Sequence, residues 1–331
     1  VNATTLAVSA PSSTPPRRLR TLAPWLLLAP LAAVALLRLV AHDAWLPLAW
    51  INSLTMWLYL PAWPLAVHAL VRRRAASFAV AAFVCACHLA WVAPTLIARA
   101  DAPPADAPRV CVVTANLLYV NPRADELLGE LLALEADVLV LEELSPEWLV
   151  RLAASPLWDR YPHRELEARS DAFGIAVLSR RPMTRAEIVD LEGVPMIDAT
   201  IDVDGRALRL LAVHTLPPID GEYAAVWRRQ LARLAFDASS NGIPLVIAGD
   251  LNASNHSAGL VALRDAGLRD AHAELGRGLV TTWPNGVFLA PPLHLDHVLV
   301  SEHVVPVAIT EGMGAGSDHR PVIADLALVA R

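Results

Sequence analysis

Residues 245–253 read LVIAGDLNA, and this stretch decides the fold. The apolar run from Leu245 to Ala248 has the length of a buried strand. It stops abruptly at Gly249-Asp250-Leu251-Asn252. Asp and Asn favour turns, so Asp250 and Asn252 taken alone read equally well as the turn after a strand. Working outward, the same event recurs. Residues 110–115 end at Asn116, 137–141 at Glu142-Glu143, and 208–213 at His214-Thr215. Asp296-His297 opens the run 296–300, and Ser317-Asp318-His319 precedes the run 322–328. Each run meets an Asn, Asp, Glu or His at one end, as expected if a sheet scaffold aims those groups into a common cleft.

Between the runs, helical periods occupy residues 124–135, 146–153, 223–238 and 257–266, and further strands are expected at 174–178 and 197–203. Asp204-Gly205 between apolar alternations is a two-residue hairpin signal. Strands joined partly by helices and partly by hairpins imply an α/β or α+β domain with more than one sheet. Metal-assisted hydrolysis at phosphorus needs the polar groups gathered here. A hard divalent cation takes one or two carboxylates and keeps exchangeable waters. A His oriented by a carboxylate can take a proton from water. Amide and imidazole N–H groups can meet the charge developing on phosphoryl oxygens.

With GDLNA at 249–253, SDHRPV at 317–322 and the other motifs in order, residues 110–328 resemble the endonuclease/exonuclease/phosphatase superfamily. Its members include pancreatic-type deoxyribonucleases, apurinic endonucleases, neutral sphingomyelinases and inositol phosphatases. The resemblance implies a four-layer α/β/β/α sandwich with the active site where two sheets meet. It implies Mg2+, with Mn2+ as the substitute, near Glu143, Asn116 and Asp318. His319 matches the general base, Asp296 the Asp that holds it, and His214 the His that contacts phosphate or acts as general acid. Asp250 and Asn252 match the pair that orients water and stabilises the pentacoordinate state. The family's usual Gln is Glu142 in this chain. A second carboxylate there could strengthen metal affinity, raise a neighbour's pKa or point away from the cleft. Thr282-Trp283 is a weaker match to an element that often precedes the final Asp.

The first hundred residues read differently. The 331-residue chain is 55% apolar and 18% charged, with mean hydropathy +0.42; ordinary globular domains have about 25% charged residues. The excess grease lies in three charge-free stretches of 17, 28 and 24 residues, at 21–37, 44–71 and 75–98. A spanning helix needs about 20 apolar residues, so the sequence predicts three transmembrane helices at about 21–41, 45–71 and 75–98. A signal peptide over 21–41 is the competing reading. Arg17, Arg18 and Arg20 before the first stretch and Arg72–Arg74 between the second and third place the N-terminus in the cytoplasm. The catalytic domain is then extracytoplasmic. The expected organisation is a tail over 1–20, a membrane region over 21–98, a Pro/Ala-rich linker over 99–108 and a catalytic domain over 109–331. Cys85-Ala86-Cys87-His88 has metal-motif chemistry but lies inside an apolar span, so it reads as packing. Three cysteines, among them Cys111 on the first strand, exclude a disulfide framework.

All 27 basic residues are Arg, and the net charge of −6 hides two unlike parts. Residues 1–108 carry 8 Arg and 3 Asp, a net of +5, whereas 109–331 carry 19 Arg against 30 Asp and Glu, a net of −11. Nucleic-acid affinity comes largely from cations on phosphates, so the acidic domain is poorly suited to a long polynucleotide. Arg160, Arg164 and Arg169, or Arg180 and Arg181, could still form a local basic face. The reading is a membrane-anchored phosphoesterase whose substrate is a lipid or envelope-derived phosphodiester, or a phosphomonoester. The alternatives are a metal-dependent endonuclease acting on DNA or RNA and a catalytically silent binding or sensor domain on the same fold.

Overall fold

The computed structural model describes residues 22–239, 242–287 and 291–329. The tail expected over residues 1–20, with Arg17, Arg18 and Arg20, lies outside them. The apolar N-terminal part contains, among the described residues, the α-helices α1 (Trp25–Ala41), α2 (Leu46–Ser53), α3 (Thr55–Leu58), α4 (Ala62–Val71) and α5 (Ala75–Val92), the last extended by a 3-10 turn over Ala93–Thr95. Among the described residues, one helix is long and apolar enough to cross a membrane, the 21-residue run Ala75–Thr95. Helices α1 and α2 together would add at most one more, and they meet at a bend of 114°.

The expectation of three transmembrane helices is thereby corrected. With it go the three-helix contact with a lipid bilayer and the multi-pass location with a cytoplasmic N-terminus and an extracytoplasmic catalytic domain. A lack of charge lowers the cost of entering a bilayer, but it does not make a helix continuous. The charge-free stretch 44–71 is broken after Ser53 and again at 59–61, where Pro61 starts the next helix, as fits a residue that cannot donate to the preceding turn. Its break is tied by polar contacts: Asn52 Nδ2 donates to Asp43 Oδ1 at 2.7 Å and to His42 O at 3.0 Å. The flanking groups also dock on the domain that follows. Trp50 Nε1 donates to Pro218 O at 2.7 Å and Trp57 Nε1 to Pro292 O at 2.8 Å. Arg38 is buried rather than reaching for an interface; it donates to the Thr55 hydroxyl and, at 3.2 Å, to His256 O.

The remaining described residues build two six-stranded sheets. In the first, β1 (Arg109–Asn116), β2 (Val138–Glu142), β3 (His163–Glu167), β4 (Ile175–Ser179), β11 (Val304–Glu311) and β12 (Val322–Leu328) lie in the order β11-β12-β1-β2-β4-β3. In the second, β5 (Met183–Leu191), β6 (Val194–Val203), β7 (Arg206–His214), β8 (Leu245–Asp250), β9 (Arg269–Asp270) and β10 (Asp296–Val300) lie in the order β5-β6-β7-β8-β10-β9. Alternate residues of the central strands meet between the sheets, among them Val112, Val140, Val177, Ile201, Leu210, Ala248 and Val298, all fully buried. Burying each Val or Leu there contributes about 1.5–3 kcal/mol.

The intervening residues face helices. Helices α6 (Ala124–Ala133), α7 (Pro146–Ala154) and α8 (Pro156–Arg160) cover the first sheet through Leu127, Leu131, Trp148, Leu152 and Leu157. Helices α9 (Gly221–Ser239) and α10 (Ala258–Asp265) cover the second through Trp227, Leu231, Leu234, Leu260 and Leu263. The short α11 (Ala271–Glu274) follows β9. Each sheet contains one parallel pair, β1 with β2 and β7 with β8, joined through α6 and α9 respectively. Parallel strands require such crossovers, and their C-terminal ends are where open α/β sheets place ligands. Asp204 and Gly205, at φ 53° and 84°, make the β6–β7 hairpin turn.

Candidate active site

The strand register brings the polar ends together. In the first sheet Asn116 pairs with Glu142; in the second His214 pairs with Asp250, which pairs across with Asp296. Gly249 makes this approach possible. At φ +146°, a Cβ there would lie 1.8 Å from Val213 O. Glu143 and Asn252, the residues just past β2 and β8, hold left-handed backbone at φ 59° and 46°, uncommon for side-chain-bearing residues and often found at functional sites.

Asp250 is the hub. Its Oδ2 lies 3.6 Å from His214 Nε2, 3.6 Å from His319 Nε2 and 3.3 Å from Asn116 Nδ2. Through Asn116 the two sheets are tied, because the same Nδ2 donates to Glu143 Oε1 at 3.0 Å. His319 Nδ1 sits 2.8 Å from Asp296 Oδ2. Glu143 Oε2 takes the Tyr119 N–H at 2.9 Å. Asn252 points slightly aside: its amide donates to Thr215 O at 2.9 Å while its backbone N–H caps Asp250 Oδ1 at 2.9 Å. Asp318 accepts from Trp283 Nε1 at 3.2 Å through Oδ2. Its Oδ1 is buried without a hydrogen-bond partner.

The electrostatics follow from packing several acids around one imidazole. Burial disfavours charge on His319, yet the Asp296 and Asp250 carboxylates outweigh it and hold its pKa up at about 10. Burial raises Asp250 and Glu143 above the usual carboxylate range, against the pull of His319 on Asp250 and of the Tyr119 N–H on Glu143. His214 is pushed down by burial, with Asp250 opposing. The ligand atoms of Asp250, Asp296 and His319 lie within 4.8 Å of one another. Carboxylate and amide oxygens and the free Asp318 Oδ1 suit a hard divalent cation.

Further residues support the site; Phe173 lies in no motif, whereas Glu142, Thr282 and Ser317 lie within motifs whose other members carry the chemistry. Thr114 donates its hydroxyl to Glu142 Oε1 at 2.5 Å, and the fully buried Glu142 faces the sheet interior rather than solvent. Thr282 Oγ1 receives the N–H groups of Leu295 and Asp296 at 3.1 and 3.2 Å. Ser317 donates to Asn116 O at 2.7 Å and accepts the His319 N–H at 3.0 Å. Phe173 packs on His214 with ring centroids 5.3 Å apart. The basic residues that could track a polynucleotide have partners. Arg169 is bonded to Asp171 and Glu167, Arg181 to Asp137 and Asp204, Arg180 donates to Glu135 O at 3.0 Å, Arg160 lies 3.8 Å from Glu135, and Arg164 lies over Trp158 with its buried Nη1 unpartnered.

Known structures share this architecture. An endonuclease/exonuclease/phosphatase from Beutenbergia cavernae is 22% identical, with TM-score 0.55 over 67% of this chain and 72% of that one. D. rerio TDP2 complexed with single-strand DNA product is 18% identical, with TM-score 0.57 over 66% and 98%. Sphingomyelinase C from Streptomyces griseocarneus is 21% identical, with TM-score 0.50 over 66% and 99%. No curated protein matches the chain. The sequence model of the Endonuclease/Exonuclease/phosphatase family matches residues 113–319. The chain belongs to that family, and its buried Asp/His constellation is the site of a metal-dependent phosphoester hydrolase.

Proposed function

We propose that the protein hydrolyses a small phosphodiester or phosphomonoester by in-line attack of water, with Mg2+ (or Mn2+) held by Glu143, Asn116 and Asp318. The cation supplies Lewis-acid stabilisation of phosphoryl charge. His319 acts in its neutral form, reached when a bound cation offsets the negative charge of the surrounding carboxylates. It removes the proton from water through Nε2, while Asp296, on Nδ1, fixes its tautomer and stabilises the imidazolium that forms. Asp250 orients the water between the two imidazoles, and the Asn252 amide steadies the pentacoordinate state. His214, low in pKa and buried, contacts the phosphate or protonates the leaving oxygen. The observation carrying this reading is the Asp296–His319 contact of 2.8 Å with Asp250 on the other ring nitrogen.

The substrate reading rests on charge. The net of −11 over 109–331 and the pairing of Arg160, Arg169 and Arg181 support a small phosphoester over a long nucleic acid. Bis-p-nitrophenyl phosphate hydrolysis with Mg2+ tests the mechanism. His319→Ala should lose about 10²–10⁴ in kcat, the usual worth of general base catalysis. Wild-type turnover in that variant overturns it. Across a panel of DNA, RNA and small phosphoesters, turnover should be nearly independent of salt. A steep fall from 50 to 200 mM salt would instead mark phosphate-backbone binding.

A further inference from the structure

Strand β10 has a second polar face. Asp296 looks into the cleft, and its neighbour His297 points to the other side of the sheet, the side on which Leu299 packs under α9 and α10. His297 is fully buried there. Its Nδ1 lies 2.7 Å from Asp270 Oδ2 and its Nε2 lies 2.8 Å from Ala253 O. His294 stacks on it with ring centroids 4.0 Å apart, and His272 stands edge-on to His294 at 4.7 Å. Ligand atoms of Asp270, His294 and His297 fall within 4.8 Å of one another.

Three imidazoles and one carboxylate packed out of water would each seek two partners; His297 and Asp270 have them, and His294 and His272 do not. His294 Nε2 and His272 Nδ1 are both buried with no hydrogen bond. An unsatisfied buried polar atom costs about 1–3 kcal/mol. The opposite ring nitrogens are held. His297 Nε2 faces the Ala253 carbonyl, and His272 Nε2 lies 3.0 Å from Glu311 Oε1. His294 Nδ1 lies 3.2 Å from the Asn255 amide, whose Oδ1 is itself buried and unpartnered. Turning that amide over, an assignment set by the hydrogen-bond network, lets Oδ1 accept a His294 Nδ1–H. His272 and His294 then each donate one N–H to an oxygen and keep one lone pair, while His297 donates to the Ala253 carbonyl and shares with Asp270 an Nδ1 proton that a metal would displace. That is the arrangement in which metal-ligating histidines are found.

We propose that Asp270, His294 and His297 form a structural transition-metal site for which Zn2+ is the fitting ion, with His272, whose unpartnered Nδ1 stands beside that trio, moving in as fourth ligand. Three nitrogen donors and one oxygen favour zinc over the oxygen-seeking Mg2+. Four protein ligands make a closed site, structural rather than catalytic. Neighbouring ligands on tetrahedral zinc lie about 3.4 Å apart given bonds of about 2.0–2.1 Å. Asp270 and His297 therefore need only open slightly from 2.7 Å to admit it. The ion would tie β9, α11 and residue 294 to β10, and so fix the strand that presents Asp296. This site is independent of the hydrolytic reading.

The full chain, stripped with a chelator and kept in excess Mg2+, is titrated with Co2+. One equivalent should bind with the visible d–d bands of a four-coordinate site, and one equivalent of Zn2+ should bleach them. The bands should persist in Glu143→Ala and vanish in His294→Phe. Should His294→Phe not fold, His272→Phe reads the same loss. Glu311→Gln should weaken Zn2+ binding 10–100-fold through the lost support of His272. Absence of the bands in the wild-type chain, or their loss in Glu143→Ala, overturns the proposal.

Discussion

Two buried His/Asp clusters lie back to back across β10, and their compositions are inverse. On the cleft face, Asp250 and Asp296 surround His319, with Glu143 and Asp318 close by; on the rear face His272, His294 and His297 crowd Asp270. The balance of acid to imidazole sets the behaviour of each. In the cleft, carboxylates outweigh burial and keep His319 charged, so the site stores negative charge and attracts a hard cation and a proton. At the rear, burial dominates and pushes His294 well below the ordinary imidazole range, with the charge of His297 adding to the effect. His294 therefore keeps a neutral nitrogen lone pair, the donor a softer metal needs, whereas Asp270 holds His297 above the ordinary imidazole range and a metal there would displace its proton. A single pleat separates the two environments, because successive residues on a strand face opposite ways.

Exchanging the carboxylate on each face should break the molecule in different ways. Asp296→Asn removes the charge that stabilises imidazolium and should lower kcat by about 10²–10⁴. It also removes part of the charge that holds the His319 proton, so the urea midpoint should fall, but by less than for the rear-face variant, because Asp250 still faces the ring and its repulsion with residue 296 is relieved. Asp270→Asn leaves a buried His297 without its carboxylate and should cost about 3–5 kcal/mol of stability, the usual result of breaking a buried pair. Steady-state kinetics and urea melts of both variants decide the matter. The reverse pattern, with Asp270→Asn stable and Asp296→Asn unfolded, would mean the roles of the two faces are exchanged.

The same contrast explains what could be read from the chain. The central strands were legible because both faces are buried and the sequence is a plain apolar run, as at 245–248 and 296–300. The four strands that escaped, β3, β5, β9 and β11, are the edges of the two sheets. Edge strands carry charge or proline as a guard against pairing: HRELE in β3, MTRAEIVDL in β5, and Pro306 at the bulge of β11. The cleft residues were legible because each sits at the end of a run. Phe173 lies in no motif, and Thr114 and Ser317 stand inside motifs without any sign of their roles, since a hydroxyl or a ring acting through a neighbour has no spacing of its own. The rear cluster draws on residues 270, 272, 294 and 297, where no local motif marks a ligand set. For the N-terminal helices the reason is different: an uncharged length does not say where the chain breaks, here after Ser53 and again before the helix that Pro61 caps.

Titration sharpens the comparison without mutating the rear face. His319 has its folded pKa raised from 6.5 to about 10. Its contribution to stability is therefore complete below pH 6.5 and is lost as pH rises through about 10, on the order of a few kcal/mol. Metal-free protein should melt at progressively lower temperature over this window, and His319→Gln should flatten the curve. A cation in the cleft competes with the proton, so Mg2+ binding at pH 8 should release protons into a weakly buffered solution. An unchanged melting temperature across the window would show that the carboxylates do not hold the His319 proton.

The smallest change tests the floor of the cleft. Glu142 is fully buried, takes the Thr114 hydroxyl on Oε1 and leaves Oε2 without a partner. Burial raises its pKa well above 4.5, Thr114 opposes this, and the nearby Asp296 and Asp250 add to it. A carboxyl kept neutral in this way occupies the space of the Gln found in related enzymes and still accepts one hydrogen bond. Its proton is a cost. The unfolded chain ionises Glu142 above pH 4.5 while the folded chain does not, so folding weakens as pH rises. Glu142→Gln removes that cost and keeps an oxygen for Thr114. Activity should stay within about threefold of wild type, since no charge in the cleft changes and a 0.6 kcal/mol effect is about that size. The stability of the variant should match wild type near pH 4.5 and exceed it by about 1.4 kcal/mol for each further pH unit, until Glu142 ionises in the folded state. A stability difference that does not vary with pH would mean that Glu142 is charged beneath the cleft and belongs with its acids.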